Sequence, residues 1–446
     1  MNDKSAGLSK SQLDAYWMPF TGNRQFKRDP RIITSADGCY YRSADGRPIF
    51  DSLSGLWTCG AGHNRPEIID SITRQAALLD YAPAFQYGHP GAFQLAERVS
   101  QMMPMGLNRI FFTNSGSESA ETSLKIARAY WQKMGAPGKT KFIGRVKGYH
   151  GVNFGGLSVG GISTNRAIFG SSLDSDHLRH TLLPHNRFAK GQPEQGSFLA
   201  DELLELIKLH GSENIAAVIV EPVAGSAGVL PPPKGYLHRL REICTQYDIL
   251  LIFDEVITAF GRMGKATGAE FFGVTPDMLN TAKQLTNGAV PMGAVAVRQD
   301  IYEICMENGG PQYQLELPHG YTYSGHPLAC AAALATLDIL KKENLFERST
   351  ELAHILEDHI HQLNGLPLIE DIRNCGLAAG LTIESAPDEP LLRPYLIAMK
   401  MWEKGFYIRY GGDTLQIGVP FIAQAEEIDG VINALAESIT EVANGQ

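Results

Sequence analysis

The stretch Ile249-Leu250-Leu251-Ile252-Phe253-Asp254-Glu255 decides the reading of this chain. A short apolar run that breaks off at carboxylates fits a strand buried on both faces, which is the habit of a parallel sheet. Two more runs share the form. Arg109-Ile110-Phe111-Phe112 leads to Thr113-Asn114, and Ala216-Ala217-Val218-Ile219-Val220 leads to Glu221. Between them lie helical patterns such as Asp201 to His210 and Gly235 to Tyr247. This alternation predicts an open α/β sheet. Ligands of such sheets sit at the carboxyl ends of strands, where the polar residues just named fall.

The 446 residues exceed what one hydrophobic core of roughly 250–300 residues accommodates, so more than one domain is expected. From about His326 the texture changes. Helical runs (Pro327 to Lys341, Ser349 to Leu363) precede apparent strands around Gly380 to Glu384 and Thr414 to Val419. Residues 326–446 therefore read as a smaller α+β domain. The segment 1–65, with its alternation at Cys39-Tyr40-Tyr41 and Pro48-Ile49-Phe50-Asp51, is expected to pack with it, leaving 66–325 as the large domain. Gly60-Ala61-Gly62 lacks the third glycine of a dinucleotide fingerprint.

Charge and composition narrow the function classes. Lys and Arg number 39 against 48 Asp and Glu, a net charge of -9 with no strong basic run, which argues against nucleic acid and for small-molecule partners. No stretch approaches the ~20 apolar residues of a membrane span, and the polar start carries no apolar signal region, so a cytoplasmic protein is expected. The six cysteines contain no Cys-x-x-Cys and the 13 histidines no His-Glu-x-x-His, so neither a disulfide framework nor a metal site is indicated.

Three features at the strand ends carry chemistry. Asn114-Ser115-Gly116-Ser117-Glu118 precedes a helical pattern through Ala120, Leu124, Ala127 and Trp131. Its glycine lets the backbone approach closely, and helix-start N–H groups flanked by hydroxyls make an anion site. Ser115-x-x-Glu118 equally matches a capping box, so an ordinary helix start fits too. Asp254 would be a carboxylate at a buried strand end, where it must meet a cation or be protonated. A structural salt bridge or a helix cap satisfies the same need. Lys283, in Thr281-Ala282-Lys283-Gln284, sits beside small residues and before Asn287-Gly288-Ala289. A single lysine is usually a solvated surface charge. Together the three are the handles that pyridoxal 5′-phosphate requires at its phosphate, ring nitrogen and aldehyde.

Here the sequence resembles the class III aminotransferases of fold type I, through Phe253-Asp254-Glu255-Val256-Ile257-Thr258-Ala259-Phe260-Gly261-Arg262, Thr275-Pro276-Asp277 and Ala282-Lys283. At closer range it is similar to the ω-amino acid:pyruvate (β-alanine:pyruvate) group, through Asp51 to Gly60, Phe85-Gln86-Tyr87-Gly88-His89-Pro90 and Arg409-Tyr410-Gly411-Gly412-Asp413-Thr414. One departure is Ala259 and Met263, where the family usually has Gly and Thr.

The resemblance implies a large domain with a mixed, mostly parallel sheet and a smaller α+β domain. It implies that Lys283 forms the Schiff base and shuttles the substrate proton, and that Asp254 pairs with the pyridine nitrogen. Tyr149, beside His150, would cover one ring face and Val256 the other. Ser115, Gly116 and Ser117 would hold the phosphate, with Thr322 reaching it from a neighbouring subunit, so that a homodimer or homotetramer is needed. Glu221 is placed beside the cofactor. Arg409 would fork onto a substrate carboxylate, although an ordinary surface arginine fits the bare pattern. Ala224 and Ser226 stand where ornithine-type members carry the Gln and Glu that restrain this arginine, which favours pyruvate over 2-oxoglutarate. Phe20, Trp57, Phe85 and Tyr149 would wall the donor pocket, though aromatics commonly serve as plain core.

Several rivals remain at this level. Gly156-Leu157-Ser158-Val159-Gly160 matches a serine-hydrolase elbow. That motif should follow a buried strand and open a helix, and neither is expected around Ser158. A cofactor-binding regulator would need an added interaction module, and none is visible. Within the family, a 2-oxoglutarate-dependent, decarboxylating or isomerising relative could use the same lysine.

Overall fold

The computed structural model describes residues 6–445. Its centre is a seven-stranded sheet in the order Arg109–Thr113, Gly293–Val297, Met278–Thr281, Leu250–Asp254, Ile215–Val220, Lys141–Arg145, Ser175–Leu178. The last five pair in parallel, and Gly293–Val297 runs antiparallel to both of its neighbours. Every residue of Ile215–Val220 and of Leu250–Asp254 is buried, as continuous apolar runs demand when helices cover both faces of a sheet. Asp254 is the last residue of its strand, so the backbone delivers a carboxylate to the ligand-binding end.

The chain ends meet in a second sheet. Strands Ile33–Asp37, Tyr40–Ser43 and Pro48–Asp51 form an antiparallel meander, to which Phe406–Tyr407 adds in parallel. A third sheet, Ile369–Asn374, Ala379–Ile383, Thr414–Ile417 and Arg409–Gly411, is wholly antiparallel. Helix Pro327–Lys342 packs along Pro66–Leu78 and Pro90–Ser100. The buried Arg262 joins the parts, donating to the carbonyls of Leu377 and Val419 and to Ser54 Oγ while its guanidinium lies over the rings of Trp57 and Phe421.

The structure corrects two local readings. The helix expected from Ser349 begins at Leu345, after Asn344 turns through a left-handed conformation. Ser163–Phe169 forms a short helix where none was expected, and it stops at Gly170 with φ +73°. No helix among the described residues is long and apolar enough to cross a membrane. No group of three or more His, Cys, Asp or Glu among them could hold a metal ion.

Candidate active site

A cavity of about 300 Å³ opens at the carboxyl ends of the parallel strands. Ser115, Gly116, Ser117, Tyr149, His150, Glu221, Asp254, Val256 and Lys283 all line it, although they come from widely separated parts of the chain.

Lys283 follows strand Met278–Thr281 and opens a short 3-10 turn with φ +43°, an unfavourable conformation for a side chain larger than glycine. Long-range bonds hold the turn. Gln284 Oε1 accepts from Gly60 N at 2.6 Å, while Asn287 Oδ1 accepts from Ala61 N and its amide donates to Gly62 O. The Gly60-Ala61-Gly62 segment thus fixes the lysine loop. Burial pushes the Lys283 ammonium downward and Arg409 acts in the same sense, against the opposing charges of Asp254 and Glu221. An amine biased toward its neutral form is a nucleophile and a base.

Asp254 Oδ2 lies 2.8 Å from His150 Nδ1, and Oδ1 accepts from Val256 N at 3.2 Å. Glu221 accepts from Tyr149 N at 2.8 Å and Gly225 N at 3.0 Å, and burial raises its carboxyl. Glu221 therefore anchors the backbone of the Tyr149 loop. Burial also raises the Tyr149 phenol, with the charge of Arg409 acting against it.

Helix Gly116–Lys133 carries both readings of its start. Ser115 Oγ accepts from Glu118 N, the N-cap half of a capping box, while Glu118 reaches one residue further back to accept from Asn114 N, and Ser115, Gly116 and Ser117 still face the cavity. A Cβ on Gly116 would come within 2.9 Å of Val256, so glycine lets the helix start and the valine close on each other. Gly151, with φ +94°, passes so near Ser117 that a Cβ would lie 2.6 Å from its Cα. The residues suit pyridoxal 5′-phosphate: a helix N-terminus with hydroxyls for the phosphate, an aspartate at the strand end, and a lysine amine in one cavity.

Other expected residues stand apart from these walls. Trp57 is buried against Arg262, and Gly418 has no side chain because the indole fills that space; its neighbour Thr58 reaches the cavity instead. Ala224 is buried in a bridge to Leu230. Arg409 starts the strand Arg409–Gly411 and acts electrostatically on Lys283 and Tyr149. Phe20 and Phe85 are exposed by 74% and 54%, and Thr322 is exposed beside Tyr81, which donates to its carbonyl.

Sequence reasoning noted Gly288 but did not single out Thr286, Val290, Pro291 and Met292, which with it form the wall beyond Lys283. The Asn287-Gly288 turn directly after the lysine was the available signal. Ser158 sits inside helix Phe154–Val159, fully buried, donating to Phe154 O and accepting from Ser172 N and Leu173 N. A hydroxyl saturated in this way is no nucleophile, and the hydrolase reading is set aside.

The aminotransferase class-III family model matches residues 22–439. The chain is 56% identical to the β-alanine–pyruvate aminotransferase of Pseudomonas aeruginosa, over 98% of this chain and 97% of that protein. It is 53% identical to the ω-amino acid–pyruvate aminotransferase of Pseudomonas putida, over 97% of each. The ω-transaminase of Pseudomonas jessenii, solved in complex with PMP, superposes with a TM-score of 0.92 at 30% identity, covering 98% of this chain and 99% of that one. With the strand-end aspartate and the cavity lysine in place, the chain belongs to the class III aminotransferases, which are pyridoxal-phosphate-dependent enzymes.

Proposed function

We propose that the protein moves the amino group of an ω-amino acid of the β-alanine type, or of a primary amine, to pyruvate. The products are L-alanine and an oxo acid, aldehyde or ketone. The observation that carries this reading is Arg409. It makes no ion pair among the described residues, yet its charge reaches both Lys283 and Tyr149. A guanidinium without an ion pair, whose charge acts on the reactive amine, suits a carboxylate-bearing substrate. Ser226 lines the cavity and offers no carboxylate to restrain it. Near-full-length similarity to two pyruvate-dependent aminotransferases supports the same acceptor.

Bound pyridoxal phosphate supplies a carbonyl that takes up the amino group and a ring that accepts the electrons released when the substrate carbon loses its proton. The chain supplies the rest. Lys283 Nζ would hold the group and would serve as the base that takes and returns the substrate proton. The Asp254 carboxylate keeps the ring nitrogen protonated. Tyr149 and Val256 confine the ring, and Ser115, Gly116 and Ser117 hold its phosphate. Phe20 and Phe85, delivered from a second copy, are proposed to shape the donor end, with Trp57 and Ala224 packed behind its wall.

The working unit is proposed to be a homodimer or homotetramer. Phe20, Phe85 and Thr322 lie outside their own chain's cavity, and Tyr81, Phe85, Tyr87 and Tyr323 leave aromatic surface exposed. Such a surface fits a second copy whose site these residues complete. The division into 1–65, 66–325 and 326–446 is proposed on the same footing.

Borohydride reduction of the yellow enzyme should fix the cofactor on Lys283 by peptide mapping. Attachment at another lysine overturns the assignment. β-Alanine plus pyruvate should yield alanine without carbon dioxide, and a preference for 2-oxoglutarate, or release of carbon dioxide, would select one of the alternative family activities.

A further inference from the structure

Cys59 is the half-buried cysteine of the six; the other five are buried. It belongs to a cluster outside the cofactor cavity. Asp51 is fully buried and meets His63 Nε2 through Oδ2 at 2.7 Å, while its carboxylate also accepts from Leu53 N and Gly55 N. The Tyr41 ring packs on the imidazole with centroids 4.5 Å apart. A Cβ on Gly55 would lie 3.3 Å from Cys59 Sγ and 3.5 Å from Tyr41 Oη, so the sulfur sits against the same group. His63 hydrogen-bonds Cys59 as well as Asp51, and the ring is cationic at neutral pH. A nucleophile, a base and a carboxylate that fixes the base thus stand in one row. A partly exposed thiol beside a cation is the setting of reactive cysteines.

The sulfur also borders the lysine loop. Thr58 and Gly288 both line the active-site cavity. Thr58 Oγ1 lies 3.2 Å from Cys59 Sγ, and a Cβ on Gly288 would come within 3.1 Å of that sulfur. An atom added to the sulfur on this side presses on the Gly288 backbone. The residue after Cys59, Gly60, donates to Gln284 directly beyond Lys283. Cys59 therefore touches the lysine loop through two separate contacts.

We propose that Cys59 is a modification site for hydrogen peroxide, whose oxidation displaces the lysine loop and lowers turnover. The sulfur forms a bond to one peroxide oxygen as the O–O bond breaks. The departing hydroxide takes up the thiol proton by way of His63 and leaves as water. Sulfur is oxidised to a sulfenic acid and peroxide is reduced. Two equivalents of a small thiol reverse the step, leaving as a disulfide while the oxygen departs as water. The loss of turnover rests on Lys283 being the reactive amine; the modification itself does not.

The holoenzyme should be treated with hydrogen peroxide in the presence of dimedone, which traps sulfenic acids, and the adduct located by peptide mass spectrometry. The label should fall on Cys59 before any other cysteine. No label, or first labelling elsewhere, overturns the proposal. Without dimedone, the same dose should lower kcat about tenfold or more, and dithiothreitol should restore it. Cys59→Ser should keep its turnover under that dose, and loss at the parent's rate overturns the coupling to the loop, as does labelling of Cys59 without loss. His63→Gln should slow labelling about tenfold or more, and labelling at the parent's rate overturns the role of the ring. Because the adduct is mapped without reference to turnover, its failure is separable from failure of the Lys283 assignment.

Discussion

The two ends of the central sheet present cavities of similar size, about 300 Å³ at the carboxyl end and 330 Å³ at the opposite end, with contrasting treatment of charge. At the opposite end the arginines are paired. Asp277 binds Arg241 and Arg298 and also accepts from Leu251 N, and Arg298 turns its remaining donors to Asp300. Lys139 nearby lies 4.1 Å from the centre of the Trp131 ring and donates to the carbonyls of Ser212 and Asp248. At the carboxyl end Lys283 and Arg409 make no ion pair among the described residues, and His150 has one nitrogen without a protein partner. Size does not distinguish a site from a crevice here. Charges left available for a ligand do.

That contrast can be broken experimentally, beginning with the largest effect. Lys283→Ala should lower kcat by at least about 10³-fold, the scale of a lost acid–base group, while leaving the melting temperature unchanged or higher, since a buried amine is removed. A marked fall in stability would show that Lys283 is structural. Asp277→Ala should do the reverse, costing about 3 kcal/mol in urea unfolding because two arginines lose a buried partner, with kcat of the folded enzyme near the parent's. If Asp277→Ala abolishes turnover in folded protein, the two ends are coupled and the contrast fails.

Arg409→Ala should weaken use of pyruvate and β-alanine by about 2 kcal/mol in kcat/KM, the worth of a lost charge-assisted pair. The amine half-reaction with 1-phenylethylamine, which has no carboxylate, should be spared. Equal losses for all three would mark the arginine as structural. The smallest effect is expected at His63, whose Nε2 lies 2.7 Å from Asp51 Oδ2. Burial disfavours the charged ring, yet hydrogen bonds and charge from Asp51 and Cys59 outweigh it and hold its pKa at about 9. Because the folded value lies above the ordinary 6.5, this stabilisation is complete below about pH 6.5 and is lost as pH rises through about 9. Chemical unfolding should show a loss on the order of 1 kcal/mol across that window, flattened in His63→Gln. A parent whose stability rises there would reverse the sign.

Strands ending at Val220 and Asp254 were legible because a doubly covered strand must be apolar throughout, a demand visible in a few consecutive residues; Arg109–Thr113, read the same way, is instead a half-buried edge strand. Lys283 was different. Its turn depends on Gly60, Ala61 and Gly62, more than 200 positions away, and no local pattern encodes such bonds. Only the resemblance raised it above other lysines. The helix Ser163–Phe169 escaped notice because its N-cap, Ile162, offers no side-chain acceptor. Leu345–Ile360 was started late although Asn344 and Glu347 have the residue types of a helix start; in the structure Asn344 is left-handed and its side chain makes no cap bond. Trp57, a bulky apolar residue, could serve as wall or core from sequence alone; the neighbouring Gly418 and Arg262 draw it into the core.

The parallel pairing of Phe406–Tyr407 with Pro48–Asp51 has a consequence for biosynthesis. During translation the meander formed by the first strands must wait for its fourth strand until nearly the whole chain has left the ribosome, whereas the seven-stranded sheet is complete once Val297 emerges. Contacts this distant in sequence form late and slowly. The cofactor end of the sheet can therefore mature first, and Arg409, two residues beyond the closing strand, comes into place only as synthesis finishes.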